Sequence, residues 1–121
     1  MYAVLRKSWS SSIAYKSCQS EWVSEDPSYG QCAITATLVY DMFGGSIHRI
    51  RVEGGGTHYF NKIAGQYVAL TREQFDLYNI EVTYEPNETM QREYCCKNPD
   101  TNARYRQLQR NIIAYLKNNE D

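Results

Sequence analysis

Residues 57–70, with the sequence THYFNKIAGQYVAL, predict a β-hairpin and with it an antiparallel sheet. Two runs rich in aromatic and apolar residues flank Ala64 and Gly65, and a two-residue loop of this kind joins paired antiparallel strands. We therefore predict strands over residues 57–63 and 66–70.

The length of that loop also predicts which residues face each other across the hairpin. Phe60 is expected to pair with Ala69, and His58 with Thr71. Paired residues and their alternate neighbours project from the same face of a sheet. The four side chains are therefore expected to share one face, with position 69 diagonally opposite His58.

A helix is predicted over residues 31–43, before the hairpin. Apolar residues recur there at spacings of three or four, which is typical of a helix with one buried face. The glycines at 44 and 45 predict an end in the left-handed conformation. The residues expected to be buried are Ile34, Leu38, Val39, Met42 and Phe43.

Weaker patterns predict the remaining elements. Three further helices are expected. One covers residues 2–9, a short one begins at a capping box at 71–74, and the last runs from a cap at Asp100 or Thr101 to about Asn118. Further strands are expected over 47–52 and 80–84. Residues 88–99 show no readable pattern. This order indicates an α+β fold with a central helix packed on an antiparallel sheet.

Length and composition predict one domain over residues 1–121, because 121 residues with 42% hydrophobic content can bury one core. No run approaches the ~20 apolar residues of a membrane-spanning helix. No apolar run follows the basic pair Arg6 and Lys7 as it would in a signal peptide. We therefore expect a cytoplasmic protein without membrane contact.

The charge balance makes nucleic acid an unexpected partner. The net charge is -1, from 13 basic and 14 acidic residues, so a general electrostatic field for DNA is missing. Arg104, Arg106 and Arg110 give the last helix a basic side, and the i, i+4 pair Arg106 and Arg110 is expected to be a solvated face.

The chain has 4 cysteines, which are Cys18, Cys32, Cys95 and Cys96. Without an export signal, free thiols are favoured over disulfides. No C-x-x-C pair occurs and His48 and His58 are the only imidazoles, so neither a metal nor another cofactor is expected. His48 is expected to face solvent and receives no role.

Cys32 is the thiol with a chemical context. It lies in the first turn of the predicted central helix, where free backbone N–H groups and the helix dipole favour a thiolate. His58 begins a strand 26 residues later and is a candidate base for that nucleophile. Gln31 is a candidate oxyanion donor through its side-chain amide.

Each of these residues also has a structural interpretation. A cysteine on a helix is often a small buried hydrophobe. A strand histidine is often a hydrogen-bonded structural residue, and Gln31 is as well suited to a hydrogen bond within its loop. Spacing alone leaves both interpretations open.

Several segments resemble known families. Residues 29–33, YGQCA, resemble the nucleophile segment of transglutaminase-like enzymes, in which Gly-Gln-Cys opens a helix packed on a sheet. Over most of its length the chain is similar to the YunG-like family of small bacterial proteins. The segments that carry this similarity are residues 7–10 (KSWS), 30–36 (GQCAITA), 43–45 (FGG), 56–61 (GTHYFN) and 70–75 (LTREQF).

The resemblance implies a papain-like, transglutaminase-like core with Cys32 as nucleophile and His58 as base. It implies a thiol-dependent hydrolase or acyl/amide transferase acting on an unidentified protein or a small amide or ester. Similar sequences carry an aspartate where this chain has Ala69, which cannot orient an imidazole. The alternative is therefore a papain-like scaffold that has lost catalysis and serves as a binding module.

Overall fold

A computed structural model of the chain describes residues 2–22, 30–51, 57–71 and 84–118. Helices precede and follow a central sheet, in the order that the sequence predicts. The helices are α1 (Tyr2–Ser8), α2 (Cys32–Phe43), α3 (Arg92–Cys96) and α4 (Pro99–Asn118), and short 3₁₀ helices cover Ser11–Ile13 and Lys16–Glu21.

The strands of the described ranges form one antiparallel sheet in the order β3-β2-β1-β4. They are β1 (Ser46–Arg51), β2 (Thr57–Ile63), β3 (Gln66–Val68) and β4 (Glu88–Met90). α2 contacts β1 and β2 on one side and α4 on the other, and α1 also packs on α4. The fold is therefore α+β, with helices packed against a four-stranded antiparallel sheet.

The hairpin forms where it is predicted, but its second strand is shorter. Ala64 and Gly65 have φ values of 51° and 80°, the left-handed pair that a tight hairpin turn requires. The pairing of β2 with β3 ends at Asn61 and Val68, so the expected pairs of residues 69 and 71 lie beyond the ladder. The chain leaves the sheet there because Leu70 packs against the helical core instead.

The main core lies among α1, α2 and α4. Its buried residues are Leu5, Trp9, Ile13, Ile34, Leu38, Tyr105 and Leu108. Burial of one such aliphatic side chain stabilises the fold by about 1.5–3 kcal/mol. The indole Nε1 of Trp9 donates to Thr35 Oγ1 at 2.9 Å, which satisfies the polar atom that this ring carries into the core.

The buried stripe of α2 ends earlier than predicted. Ile34, Leu38 and Val39 are buried as expected, but Met42 and Phe43 are 53% and 54% exposed. The core therefore stops one turn before the helix does. The helix itself ends as predicted, with φ values of 77° at Gly44 and 78° at Gly45.

α4 differs from the prediction at its start and on its basic side. Asn98 Oδ1 accepts from the backbone N–H of Asp100 at 2.8 Å, so Asn98 caps the helix rather than Asp100 or Thr101. Arg104 is 5% exposed and donates to the carbonyl of Ile13 at 3.2 Å. It therefore ties α4 to the N-terminal segment and does not belong to a solvated face. Within the described ranges, no helix is both long and apolar enough to cross a membrane.

The segment without a readable pattern contains β4 and α3. β4 pairs with β1 through Ile47–Met90, His48–Thr89 and Arg49–Glu88, which places β1 inside the sheet. A strand of three residues is too short to show a reliable period in sequence. The predicted capping box and the predicted strand over 80–84 lie outside the described residues, apart from Thr71 and Tyr84.

Candidate functional site

The two faces of the sheet have different neighbours. On one face, Asn61 Nδ2 donates to the backbone oxygen of Ala36 at 2.9 Å, and Ile47 packs on the same residue of α2. Side chains alternate between faces along a strand. His58 and Phe60 therefore project from the face opposite α2.

Cys32 is the first residue of α2 and is half-buried. Its Sγ lies 3.6 Å from the carbonyl oxygen of Thr57, and the backbone of Tyr59 also hydrogen-bonds the sulfur. These two groups lie on β2 beyond the end of its described pairing with β3, which stops at Asn61 and Val68. The thiol is thus held against the backbone on either side of His58.

The environment of Cys32 acts on its pKa in two opposing ways. The backbone N–H groups at the helix start and the hydrogen bond from Tyr59 lower the pKa of the thiol. Burial is the larger effect and raises the pKa of Cys32 above its ordinary value of 9.0. The resting group at neutral pH is therefore the protonated thiol, in contrast to the thiolate that its position in the helix predicts.

His58 is fully buried on the opposite face of the sheet. Its ring stacks on Phe60 with centroids 5.8 Å apart, and it lies 6.1 Å from the ring of Tyr84. Burial disfavours the charged imidazolium and lowers the pKa of His58 from 6.5 to about 4. The imidazole is therefore neutral at pH 7.

Gln31 performs the structural role that its position allows. Its side chain is fully buried, and Nε2 donates to the backbone oxygen of Ser10 at 3.0 Å. The preceding residue, Gly30, accepts from the N–H of Tyr15 at 2.8 Å and has a φ of 73°. Together these bonds fix the start of α2 to the segment that follows α1.

Gly30 also marks a close approach between this segment and the Cys32 loop. A Cβ added at Gly30 would lie 2.9 Å from the Cβ of Cys18 and 3.1 Å from the nitrogen of Tyr15. Cys18 and Cys32 are both free thiols. Ala69 is half-buried and Thr71 is buried.

His48 is buried, although its sequence context predicts a solvent-exposed side chain. It is 7% exposed, and its ring stacks on Phe60 at 5.7 Å. Its Nε2 lies 2.7 Å from Ser46 Oγ, and its Nδ1 lies 2.9 Å from Asn87 Oδ1. The Ser-x-His spacing on a strand places both side chains on one face, which is the signal that sequence reasoning missed.

Metal ligands do not cluster in the parts of the chain that the structure describes. No group of three or more histidine, cysteine, aspartate or glutamate side chains suited to a metal ion occurs there. Cys95 and Cys96 lie on α3.

The fold and the site define a small α+β protein whose central helix begins at a half-buried thiol held against β2. A family model described as "YunG protein" matches residues 1–117, so the chain belongs to the YunG protein family. Among curated proteins, the "Uncharacterized protein YunG" of Bacillus subtilis (strain 168) is 40% identical over 72 residues. That alignment covers 60% of this chain and 57% of the Bacillus protein. No solved structure matches the chain.

Proposed function

We propose that the protein is a papain-like, thiol-dependent hydrolase or acyl/amide transferase, with Cys32 as the nucleophile and His58 as the base. The observation that supports this proposal is the contact of the Cys32 sulfur with the backbone of β2 at Thr57 and Tyr59. These residues flank His58 in the chain, so the thiol contacts the strand next to the proposed base, whose ring projects from the face opposite α2.

In this proposal the Cys32 sulfur attacks the carbonyl carbon of an amide or ester. The thiol proton passes to a ring nitrogen of His58 and then to the leaving amine or alcohol. The resulting thioester is cleaved by water or transferred to an amine. The backbone N–H groups at the start of α2 stabilise the oxyanion that forms in each step.

The resting charges determine how readily this reaction begins. The pKa of Cys32 is raised and that of His58 is lowered to about 4, so proton transfer from thiol to imidazole is unfavourable before substrate binds. A general base works best when its pKa lies near the operating pH. The proposal therefore requires that proton transfer and attack occur together, from a neutral pair.

The second candidate is a binding module that retains the same scaffold. The packing of the His58 ring among Phe60 and Tyr84 favours it, because burial there disfavours the charged imidazolium that a general base must form. Ala69 also supplies no carboxylate to an imidazolium. In this case the surface around Cys32 binds a partner without reacting with it.

Acylation by p-nitrophenyl acetate separates the two candidates. The acetylated residues are identified by peptide mass spectrometry, with Cys18 as an internal control because it is also a half-buried free thiol. If the protein is an enzyme, Cys32 is acetylated faster than Cys18, and His58→Phe slows Cys32 by about 100-fold, the effect of losing a general base. Cys32→Ala removes the fast acetylation, and Cys18→Ala leaves the acetylation of Cys32 unchanged.

The nucleophile assignment is wrong if Cys32 in the folded protein reacts no faster than Cys18. Circular dichroism of each variant establishes that the protein is folded. If Cys32 is acetylated faster than Cys18 and His58→Phe leaves the acetylation rate of Cys32 unchanged, the thiol is reactive but His58 is not its base.

A further inference from the structure

A second group of side chains, outside the Cys32 site, has the arrangement of a nucleophile, a base and an orienting group. Ser46 and His48 lie two residues apart on β1 and share the face opposite α2. The distance from Ser46 Oγ to His48 Nε2 is 2.7 Å, and the distance from His48 Nδ1 to Asn87 Oδ1 is 2.9 Å. These are the distances at which a hydroxyl, an imidazole and an amide act as a linked chain.

The surrounding bonds determine the direction of each hydrogen bond in this chain. Asn87 Nδ2 donates to the backbone oxygen of Tyr84 at 2.8 Å and to the hydroxyl oxygen of Tyr67 at 3.1 Å. A carbonyl oxygen can only accept, so the amide nitrogen faces Tyr84 and Oδ1 faces His48. Oδ1 then accepts from Nδ1–H, and Nε2 carries the lone pair that accepts from Ser46 O–H.

Asn87 itself is held on several sides. Tyr67 donates its hydroxyl proton to Glu85 Oε1 at 2.6 Å, so its oxygen is directed to accept from Asn87. The ring of His48 is fixed by stacking on Phe60. An imidazole whose tautomer and orientation are both fixed is ready to take a proton from the hydroxyl that it faces.

Ser46 lies at the beginning of β1 and is only partly buried. Two residues before Ser46, a Cβ added at Gly44 would meet no atom within 4 Å, whereas one added at the intervening Gly45 would lie 2.2 Å from the backbone oxygen of Lys62. Lys62 is the residue directly across from Ser46 in β2, and its ammonium group lies over the ring of Tyr67, 5.2 Å from the ring centroid.

We infer that Ser46, His48 and Asn87 form a reactive-serine site that takes small carboxylic esters. Ser46 Oγ forms a bond to the carbonyl carbon, and the hydroxyl proton passes to His48 Nε2. The bond to the alcohol then breaks, and the alcohol leaves with that proton. Water, deprotonated by the same nitrogen, hydrolyses the acyl-serine and restores the hydroxyl.

The chemistry of Asn87 determines how fast the site is expected to turn over an ester. Asn87 orients His48 but carries no charge, so it stabilises the imidazolium less than an aspartate does. The site is therefore expected to be acylated readily by activated esters and to turn over slowly.

The test is covalent labelling by a fluorophosphonate, which serine attacks at phosphorus with release of fluoride. The rate of modification at Ser46 is measured by peptide mass spectrometry in the full chain. Ser12 is the internal control, because it is exposed and its Oγ lies 3.1 Å from the Oγ of Ser10, with no imidazole in that pair. We expect Ser46 to be labelled at least 10-fold faster than Ser12. We expect His48→Gln to lower the labelling rate of Ser46 by about 100-fold.

Two further variants separate this site from its alternatives. Cys32→Ala is expected to leave the labelling of Ser46 unchanged, so this result is independent of the acetylation of Cys32. Asn87→Ala is expected to slow labelling and Asn87→Asp to restore it, because an aspartate again accepts from Nδ1. A purely structural role for Asn87 would not produce that rescue.

The inference is overturned if Ser46 in the folded protein reacts no faster than Ser12. It is also overturned if His48→Gln keeps its fold, by circular dichroism, and reacts at the original rate. If His48→Gln does not fold, the labelling rates of Ser46 and Ser12 in the wild-type chain are compared instead, and they decide the question.

Discussion

Replacing the buried imidazole of His58 by a phenyl ring, in His58→Phe, is expected to remove a specific pH dependence of stability. The ring of His58 is fully buried and its pKa is lowered from 6.5 to about 4 by that burial. An unfolded chain restores the ordinary pKa. Between these values the unfolded state binds a proton that the folded state does not, so stability falls as the pH falls.

The size of the effect follows from the two pKa values. The contribution of His58 is complete above pH 6.5 and is lost progressively as the pH falls to about 4. Proton linkage gives a loss of about 2.5 kcal/mol between pH 7.5 and pH 4.5, and about 3.4 kcal/mol once the pH is below 4. With a total stability of about 5–15 kcal/mol for a domain, this loss is a large fraction.

Urea unfolding at several pH values measures the effect, with circular dichroism as the signal. The quantity of interest is the difference in free energy of unfolding between the wild-type chain and His58→Phe at each pH. Asp41 and Glu88, whose pKa values are lowered by their arginine partners, lose their contributions at lower pH and do so in both proteins.

The two proteins are expected to diverge by about 2.5 kcal/mol between pH 7.5 and pH 4.5, with the wild type losing more. A difference that stays constant across this range would show that the imidazole is not held neutral by burial. The account of the Cys32 and His58 pair as neutral at rest would then be refuted as well.

Two further predictions concern packing around the sites. Gly45→Ala is expected to destabilise by about 3 kcal/mol or more, because it adds an overpacking cost to that of a left-handed residue. The Cβ added at residue 45 would lie 2.2 Å from the backbone oxygen of Lys62. Gly65 has a φ of 80° but no atom within 4 Å of an added Cβ, so Gly65→Ala is expected to cost only about 1–2 kcal/mol of stability. Equal midpoints of urea unfolding for the two variants would contradict this. Trp9→Phe and Thr35→Val are each expected to lower the free energy of unfolding by about 1 kcal/mol. The double variant is expected to lose less than the sum, because both substitutions break the same hydrogen bond. Additive losses in a double-mutant cycle would contradict this prediction.

Local patterns predicted the elements whose cause is local. The hairpin turn needs two residues of positive φ, and the chain provides Ala64 and Gly65 between two runs of strand-forming residues. α2 ends at glycines for the same kind of reason. Each of these features depends on a few consecutive residues, so the sequence contains the whole cause.

The features that sequence reasoning missed depend on distant segments. Met42 and Phe43 continue the apolar pattern of α2, but their burial depends on distant segments, and no element of the described ranges packs over the last turn deeply enough to bury them. His48 is buried because Phe60 and Asn87, from two other segments, lie against its ring and its Nδ1. A reading of residues 46–50 alone has no access to either neighbour.

The elements that carry Cys32 and His58 were predicted, but the electrostatics of the two groups were not. Sequence reasoning placed Cys32 at a helix start and His58 at the beginning of a strand, as the structure has them. It predicted a thiolate because it counted the helix dipole and not the cost of burying charge. That cost depends on how closely β2 covers the sulfur, which is a property of the folded chain.

The joining of α1 to α4 has a consequence for the order of events during synthesis. Asn111 donates to the backbone oxygen of Ser8 across a separation of 103 residues, and Leu108 lies in the same core as Leu5. At a translation rate of roughly 5–20 residues per second, α1 waits about 5–20 s for its partner to be made. During that interval Leu5 and its apolar neighbours are exposed, so the nascent chain offers a chaperone a binding site that the finished fold closes.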